Sequence, residues 1–152
     1  MIDKRTLEII FSEQKEELEV TAQNTRCRRK EEDLINLDSK LAQVVIGVRR
    51  SGKSTLCFNV LHDAGVKFAY ANFDDERLEG MKAAELNNVL EVLYKINGEF
   101  THLFLDEIQN VEGWHLFVNR MLRQGMKIIL TGSNAKLLSG ELATHLTGRH
   151  NT

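Results

Sequence analysis

The 152-residue chain is 42% hydrophobic and 28% charged, with a formal net charge of −2. That length supports one compact domain with a real core, and the balance excludes a fibrous or wholly disordered protein and any whole-chain attraction to nucleic acid. No run approaches the ~18 uninterrupted apolar residues of a membrane span, and no apolar leader follows the N-terminal Met-Ile-Asp-Lys-Arg, so a cytoplasmic protein without membrane contact is the expectation.

Residues 1–40 differ in texture from the rest and are expected to form a helical N-terminal extension ahead of a domain over 41–152. Leu7, Ile10, Phe11 and Leu18 share one face of a predicted helix from about Lys4 to Glu19. Arg26, Arg28, Arg29 and Lys30 form a short basic cluster with two readings: contact with nucleic-acid phosphates, or a solvated surface neutralised by the Glu31-Glu32-Asp33 that follows. Cys27 and Cys57 lack metal-ligand spacing and read as reduced structural thiols.

The run Val44-Val45-Ile46-Gly47-Val48-Arg49-Arg50-Ser51-Gly52-Lys53-Ser54-Thr55 is an apolar strand entering a glycine-bracketed loop and then a helix. Gly47, Gly52, Lys53 and Ser54 occupy every fixed position of a phosphate-binding P-loop. The glycines let backbone N–H groups converge on one point, and the helix adds its unpaired amides and the positive end of its dipole. Lys53 is placed for the β- and γ-phosphates, the Ser54 hydroxyl for one coordination position on Mg²⁺, and Thr55 is a second hydroxyl behind it.

Leu56, Cys57, Val60, Leu61 and Ala64 recur at helical spacing and Gly65 ends that helix. Lys67 to Phe73 reads as a strand, followed by Asp74-Asp75-Glu76-Arg77, which either reach a metal site or form a solvated loop. Leu86, Val89, Leu90 and Leu93 mark a helix closed by Asn97-Gly98. Leu103-Phe104-Leu105-Asp106-Glu107 is the pattern of a strand buried on both faces that delivers acids to its carboxyl end. Trp114, Phe117, Val118, Met121 and Leu122 form the strongest helical stripe, which makes Trp114 a core residue. Lys127 to Thr131 is a fourth strand carrying Gly132-Ser133-Asn134 at its end, and Leu137, Leu138, Leu142 and Leu146 continue in a helical pattern before Gly148-Arg149. Such alternation requires an α/β fold with a parallel sheet, right-handed crossovers and helices on both faces.

Asp106 is suited to hold Mg²⁺ through water, and the adjacent Glu107 to orient and deprotonate an attacking water. Ser133 and Asn134 either sense the γ-phosphate or cap the next helix. Arg149 is a candidate for charge stabilisation at that phosphate, with Arg49 and Arg50 as competitors.

Together, Gly47 to Thr55, Phe-Asp-Asp-Glu-Arg-Leu at 73–78, Leu-Asp-Glu-Ile-Gln-Asn-Val-Glu-Gly-Trp at 105–114 and Leu-Thr-Gly-Ser-Asn-Ala-Lys-Leu-Leu-Ser at 130–139 resemble a prokaryotic AAA-type P-loop ATPase family. The resemblance implies the three-layer P-loop NTPase fold of the ASCE/AAA class with strand order 5-1-4-3-2, ATP and Mg²⁺ as cofactors, Lys53 and Ser54 on phosphate and metal, Asp106 on metal, Glu107 as base and Ser133 or Asn134 as sensor. It also implies a larger C-terminal part of unknown function. Such proteins continue past the Gly-Arg pair into a strand and a Pro-Leu-Ser-Phe-like segment, whereas this chain contains no proline and stops at Thr152, which resembles a truncated N-terminal piece. A missing fifth strand would leave the outer side of the P-loop strand unpaired, so self-association through that edge, or a protein partner, is expected.

The leading functional expectation is Mg²⁺-dependent ATP hydrolysis, with ATP favoured over GTP because no Asn-Lys-x-Asp motif is present. The alternatives are a nucleotide-binding switch with negligible turnover and a nucleic-acid-dependent ATPase.

Overall fold

A computed structural model describes residues 2–24, 35–47, 52–133 and 144–146 of the chain. Its elements are α1 (Lys4–Asn24), β1 (Ala42–Ile46), α2 (Lys53–Ala64), β2 (Phe68–Asn72), α3 (Leu86–Asn97), β3 (His102–Asp106), α4 (Trp114–Arg123), β4 (Lys127–Gly132) and β5 (Thr144–Leu146), with short 3₁₀ turns at Glu76–Leu78, Ala83–Glu85 and Ile108–Asn110. The five strands form one sheet in the order β2-β3-β4-β1-β5, every pairing parallel.

This order decides which face each helix covers. The connection from β1 to β2 travels across the sheet in one direction, whereas β2 to β3 and β3 to β4 step back in the other, and right-handed crossovers then place α2 on one face and α3 and α4 on the opposite one. The strands alternate accordingly. Val44, Ala69, Ala71, Leu103, Leu105, Ile128 and Leu130 pack with α3 and α4, while Val45, Tyr70, Phe104 and Ile129 pack with Leu56, Cys57 and Leu61 of α2. All five residues of β3 are buried, as expected of a central strand covered on both sides.

Helix α1 runs five residues beyond its expected end and is shared between the two faces. Leu7, Ile10 and Phe11 join the α3/α4 core, whereas Leu18 joins the α2 core. Burying each such side chain contributes about 1.5–3 kcal/mol. Between these groups lies Gln14, only 4% exposed, whose amide donates to the Asn72 carbonyl at 2.9 Å and accepts from the Asn72 N–H at 2.8 Å. The helix therefore straddles the outer edge of β2 and satisfies backbone groups that would otherwise template another chain.

Two sequence expectations are corrected at the opposite edge. A fifth strand is present: β5 pairs with β1 through Ala42↔Thr144, Gln43↔His145 and Val44↔Leu146, so the outer side of β1 is not bare there and that ground for self-association is removed. Leu146, read as part of a helical pattern, lies in this strand. Leu137, Leu138 and Leu142, the basic cluster Arg26 to Lys30, and Cys27 fall outside the described residues. Among the described residues no helix is long and apolar enough to cross a membrane.

Candidate functional site

The carboxyl ends of β1, β3 and β4 converge where the strand order reverses, the place in an open parallel sheet where a crevice forms. The β1–β4 ladder extends one bond beyond β1, from the Gly47 N–H to the Gly132 carbonyl at 3.1 Å. At the far end of the loop Gly52 has φ 88°, a left-handed conformation glycine adopts without Cβ strain, and its carbonyl accepts the first helical bond of α2 from the Leu56 N–H at 2.9 Å. Lys53 and Ser54 thereby occupy the first turn of α2.

The structure brings Lys53, Ser54, Asp106, Glu107 and Ser133 together. The Lys53 ammonium pairs with Glu107 Oε2 at 2.8 Å, the two side chains being 6% and 8% exposed. The Ser54 hydroxyl donates to Asp106 Oδ2 at 2.6 Å, and Ser133 donates to Glu107 Oε1 at 2.8 Å. Thr55 is in the same helical turn. Val48, Arg49, Arg50, Ser51, Asn134 and Arg149 lie outside the described residues. Asp75 is engaged elsewhere: its carboxylate accepts from the Arg77 guanidinium at 2.8 and 2.9 Å and from Gln14 at 3.1 Å, and Arg77 also pairs with Glu13 at 2.7 Å. The polar run after β2 is thus a brace onto α1.

Three further residues complete the site, and motif spacing did not single them out. The Tyr70 hydroxyl donates to Asp106 Oδ2 at 2.8 Å. Thr131 donates to Asp106 Oδ1 and accepts from the Glu107 N–H at 3.0 Å. Gln109 donates to Glu107 Oε1 at 2.8 Å. Thr131 and Gln109 sit inside the two motifs quoted above, whereas Tyr70 differs from an ordinary core aromatic only by its hydroxyl. Of the described polar and charged residues that are buried, Lys53, Asp106, Glu107 and Thr131 are gathered at this one place, and burying them has a cost that argues for function.

Glu107 has φ 55° and ψ 45° and is the non-glycine residue with positive φ among the described residues. Such a conformation costs about 1–2 kcal/mol, and the bond from its N–H to Thr131 helps to hold it.

The two neighbouring carboxyl groups are driven in opposite directions. Burial pushes Asp106 above the usual carboxylate range, with the hydrogen bonds from Ser54, Thr131 and Tyr70 offsetting part of the effect and the charge of Glu107 adding to it. Burial acts in the same sense on Glu107, but the hydrogen bonds from Gln109, Lys53 and Ser133 outweigh it and hold that group below its ordinary value. Glu107 is therefore ionised near neutrality and able to accept a proton, while Asp106 is a carboxylate whose burial a nearby cation would offset. Burial also pushes the Tyr70 phenol and the Cys57 thiol well up, so both keep their protons.

The donor set suits Mg²⁺. It offers a hydroxyl and a carboxylate oxygen 2.6 Å apart, and the nearby thiol stays protonated. Among the described residues no group of three or more His, Cys, Asp or Glu side chains forms a metal cage, and Mg²⁺ bound through one carboxylate, phosphate oxygens and water needs none.

A family model described as an AAA domain (AAA_14) matches residues 39–152. The chain is 38% identical over 153 residues to the uncharacterized protein MJ1544 of Methanocaldococcus jannaschii, covering 99% of this chain and 33% of that protein. It is 38% identical over 121 residues to an uncharacterized protein of Haemophilus influenzae, covering 74% of this chain and 30% of that one. The chain thus spans about a third of the length of these curated relatives. Among solved structures, a replication initiator DnaA bound to AMPPCP and single-stranded DNA aligns with a TM-score of 0.46 at 18% identity, covering 74% of this chain and 41% of that one. On the family match, the strand order and the P-loop, the chain belongs to the AAA-type P-loop ATPase family.

Proposed function

We propose that the chain binds ATP with Mg²⁺ in the loop from Gly47 to Ser54 and hydrolyses it. The observation that carries this reading is the meeting of the P-loop helix with the acidic end of β3, through Lys53 on Glu107 and Ser54 on Asp106. The roles follow from the chemistry of each group. Loop N–H groups and the α2 terminus receive phosphate oxygens, and Lys53 supplies a compact charge among them. Ser54 and Asp106 hold the metal, which when bound neutralises charge developing on the transferred phosphoryl group.

Glu107 orients a water and accepts its proton. For this its carboxylate must face the phosphate rather than Lys53, so transfer of the Lys53 ammonium toward phosphate frees Oε2. Ser133 and Gln109 stay on Oε1 and fix the carboxylate's direction. Gln109 Oε1 is a buried acceptor without a hydrogen-bond partner among the described residues. Catalysis of this kind is positioning with electrostatic stabilisation.

Glu107→Gln is expected to retain Mg²⁺-dependent ATP uptake in calorimetry and to lose steady-state phosphate release. Unchanged turnover would remove Glu107 from the mechanism, and no uptake by the unsubstituted chain would remove the function.

A further inference from the structure

Asp106 receives three hydroxyl groups on two oxygens: Ser54 and Tyr70 on Oδ2, Thr131 on Oδ1. They come from three different elements, α2, β2 and β4. Of the three, Ser54 is the hydroxyl that would also serve a bound metal, its oxygen lone pairs remaining available while its O–H stays hydrogen-bonded to Asp106. The other two hydroxyls reach the carboxylate from β2 and β4.

Tyr70 is built for this task. It lies in β2 opposite Phe104, two residues before the Asn72↔Asp106 pair, so that its side chain shares the α2 face of the sheet with Phe104 and Asp106. Its ring leans on Phe104 with centroids 4.8 Å apart, which leaves the hydroxyl at the carboxyl end of the sheet. The residue is 8% exposed, and a phenol buried to that degree needs a partner, which here is an oxygen of the Asp106 carboxylate rather than a backbone group.

Resting on the reading of Mg²⁺-nucleotide binding above, we infer that Tyr70 is a positioning residue that sets the orientation of Asp106 toward the metal. Groups that orient a metal ligand from behind cost 10- to 100-fold in metal affinity when removed. Tyr70→Phe keeps the ring and removes the donor. It is expected to raise the Mg²⁺ concentration for half-maximal uptake of a fluorescent ATP analogue about tenfold, while affinity for the analogue without metal stays within about twofold.

A tyrosine satisfied in the core and nothing more would lower the unfolding midpoint without moving the Mg²⁺ dependence, and that result overturns the inference. Phe104→Leu disturbs the same packing and leaves the hydroxyl in place, so an equal shift in that variant also overturns it. If Tyr70→Phe does not fold, 3-fluorotyrosine in the unsubstituted sequence decides. The chain has two tyrosines, and Tyr94, 40% exposed on α3, serves as the internal reference. The fluorine resonance of Tyr70, and not that of Tyr94, should shift when Mg²⁺ is added to nucleotide-bearing protein, and an indifferent Tyr70 resonance overturns the assignment. Absence of any Mg²⁺-nucleotide uptake by the unsubstituted chain is the separate outcome that sinks the function itself.

Discussion

The side-chain amide of Gln14 occupies the place of a neighbouring strand's backbone, giving its N–H to the Asn72 carbonyl and taking the Asn72 N–H on its oxygen. Asn72 is also the register partner of Asp106, so α1 secures the strand beside the acidic pair. Gln14→Ala strands two backbone groups at the sheet edge and removes a donor from Asp75. A loss of about 1–3 kcal/mol is expected, read as a lower urea midpoint at unchanged m-value. A midpoint within error of the parent would show that water replaces the amide at no cost.

Lys53 and Glu107 form a buried pair, and removing Lys53 leaves the Glu107 charge buried without the cation that faces it. Lys53→Ala is expected to cost about 3–5 kcal/mol in stability as well as nucleotide binding. Adding Glu107→Ala should recover part of that loss, with a coupling of about 1–3 kcal/mol in a double-mutant cycle followed by chemical denaturation. Strict additivity would mean that the pair is not formed in solution.

Gly113 precedes α4 at φ 80°, and a Cβ there would meet the Ala83 Cβ at 3.3 Å, where the Ala83 N–H bonds the Glu112 carbonyl. Gly125 has φ 92° with open space around it. Both glycine-to-alanine changes carry backbone strain of about 1–2 kcal/mol, but only Gly113→Ala adds crowding. The expectation is a larger fall in Tm for Gly113→Ala than for Gly125→Ala, the latter about 2–8 °C. Equal falls would show that the 3₁₀ turn bearing Ala83 yields freely.

The Arg77 guanidinium beside Asp75 holds that carboxyl down at about 2, with a backbone hydrogen bond from Arg77 and the Gln14 amide assisting against partial burial. A depressed carboxyl pKa contributes stability that is complete above the unfolded value near 3.8 and is lost as pH falls toward about 2. After allowance for solvent screening this amounts to about 1 kcal/mol. Asp75→Asn should therefore be less stable than the parent by about that amount at pH 7, with the gap closing between pH 4 and about 2 in urea titrations. A pH-independent gap would assign the loss to the cap on the Glu76–Leu78 turn instead.

Short-range periodicity and spacing encode most of the elements and the two motifs of the site. The short apolar runs of β1, β3 and β4, the stripes of α3 and α4, the bracketing of the loop by Gly47 and Gly52, and an acidic pair closing a doubly buried strand are local patterns, and each is tied to a backbone geometry it can hardly avoid. Contacts between segments far apart in the chain were settled by the folded arrangement. Gln14 on Asn72, Tyr70 on Asp106, Thr131 under both acids and Lys53 on Glu107 leave no periodic trace, because one polar side chain within an apolar pattern does not say which partner will satisfy it. The same holds for β5: three residues are too few to set a period, and it is pairing with the free side of β1 that makes Thr144–Leu146 a strand.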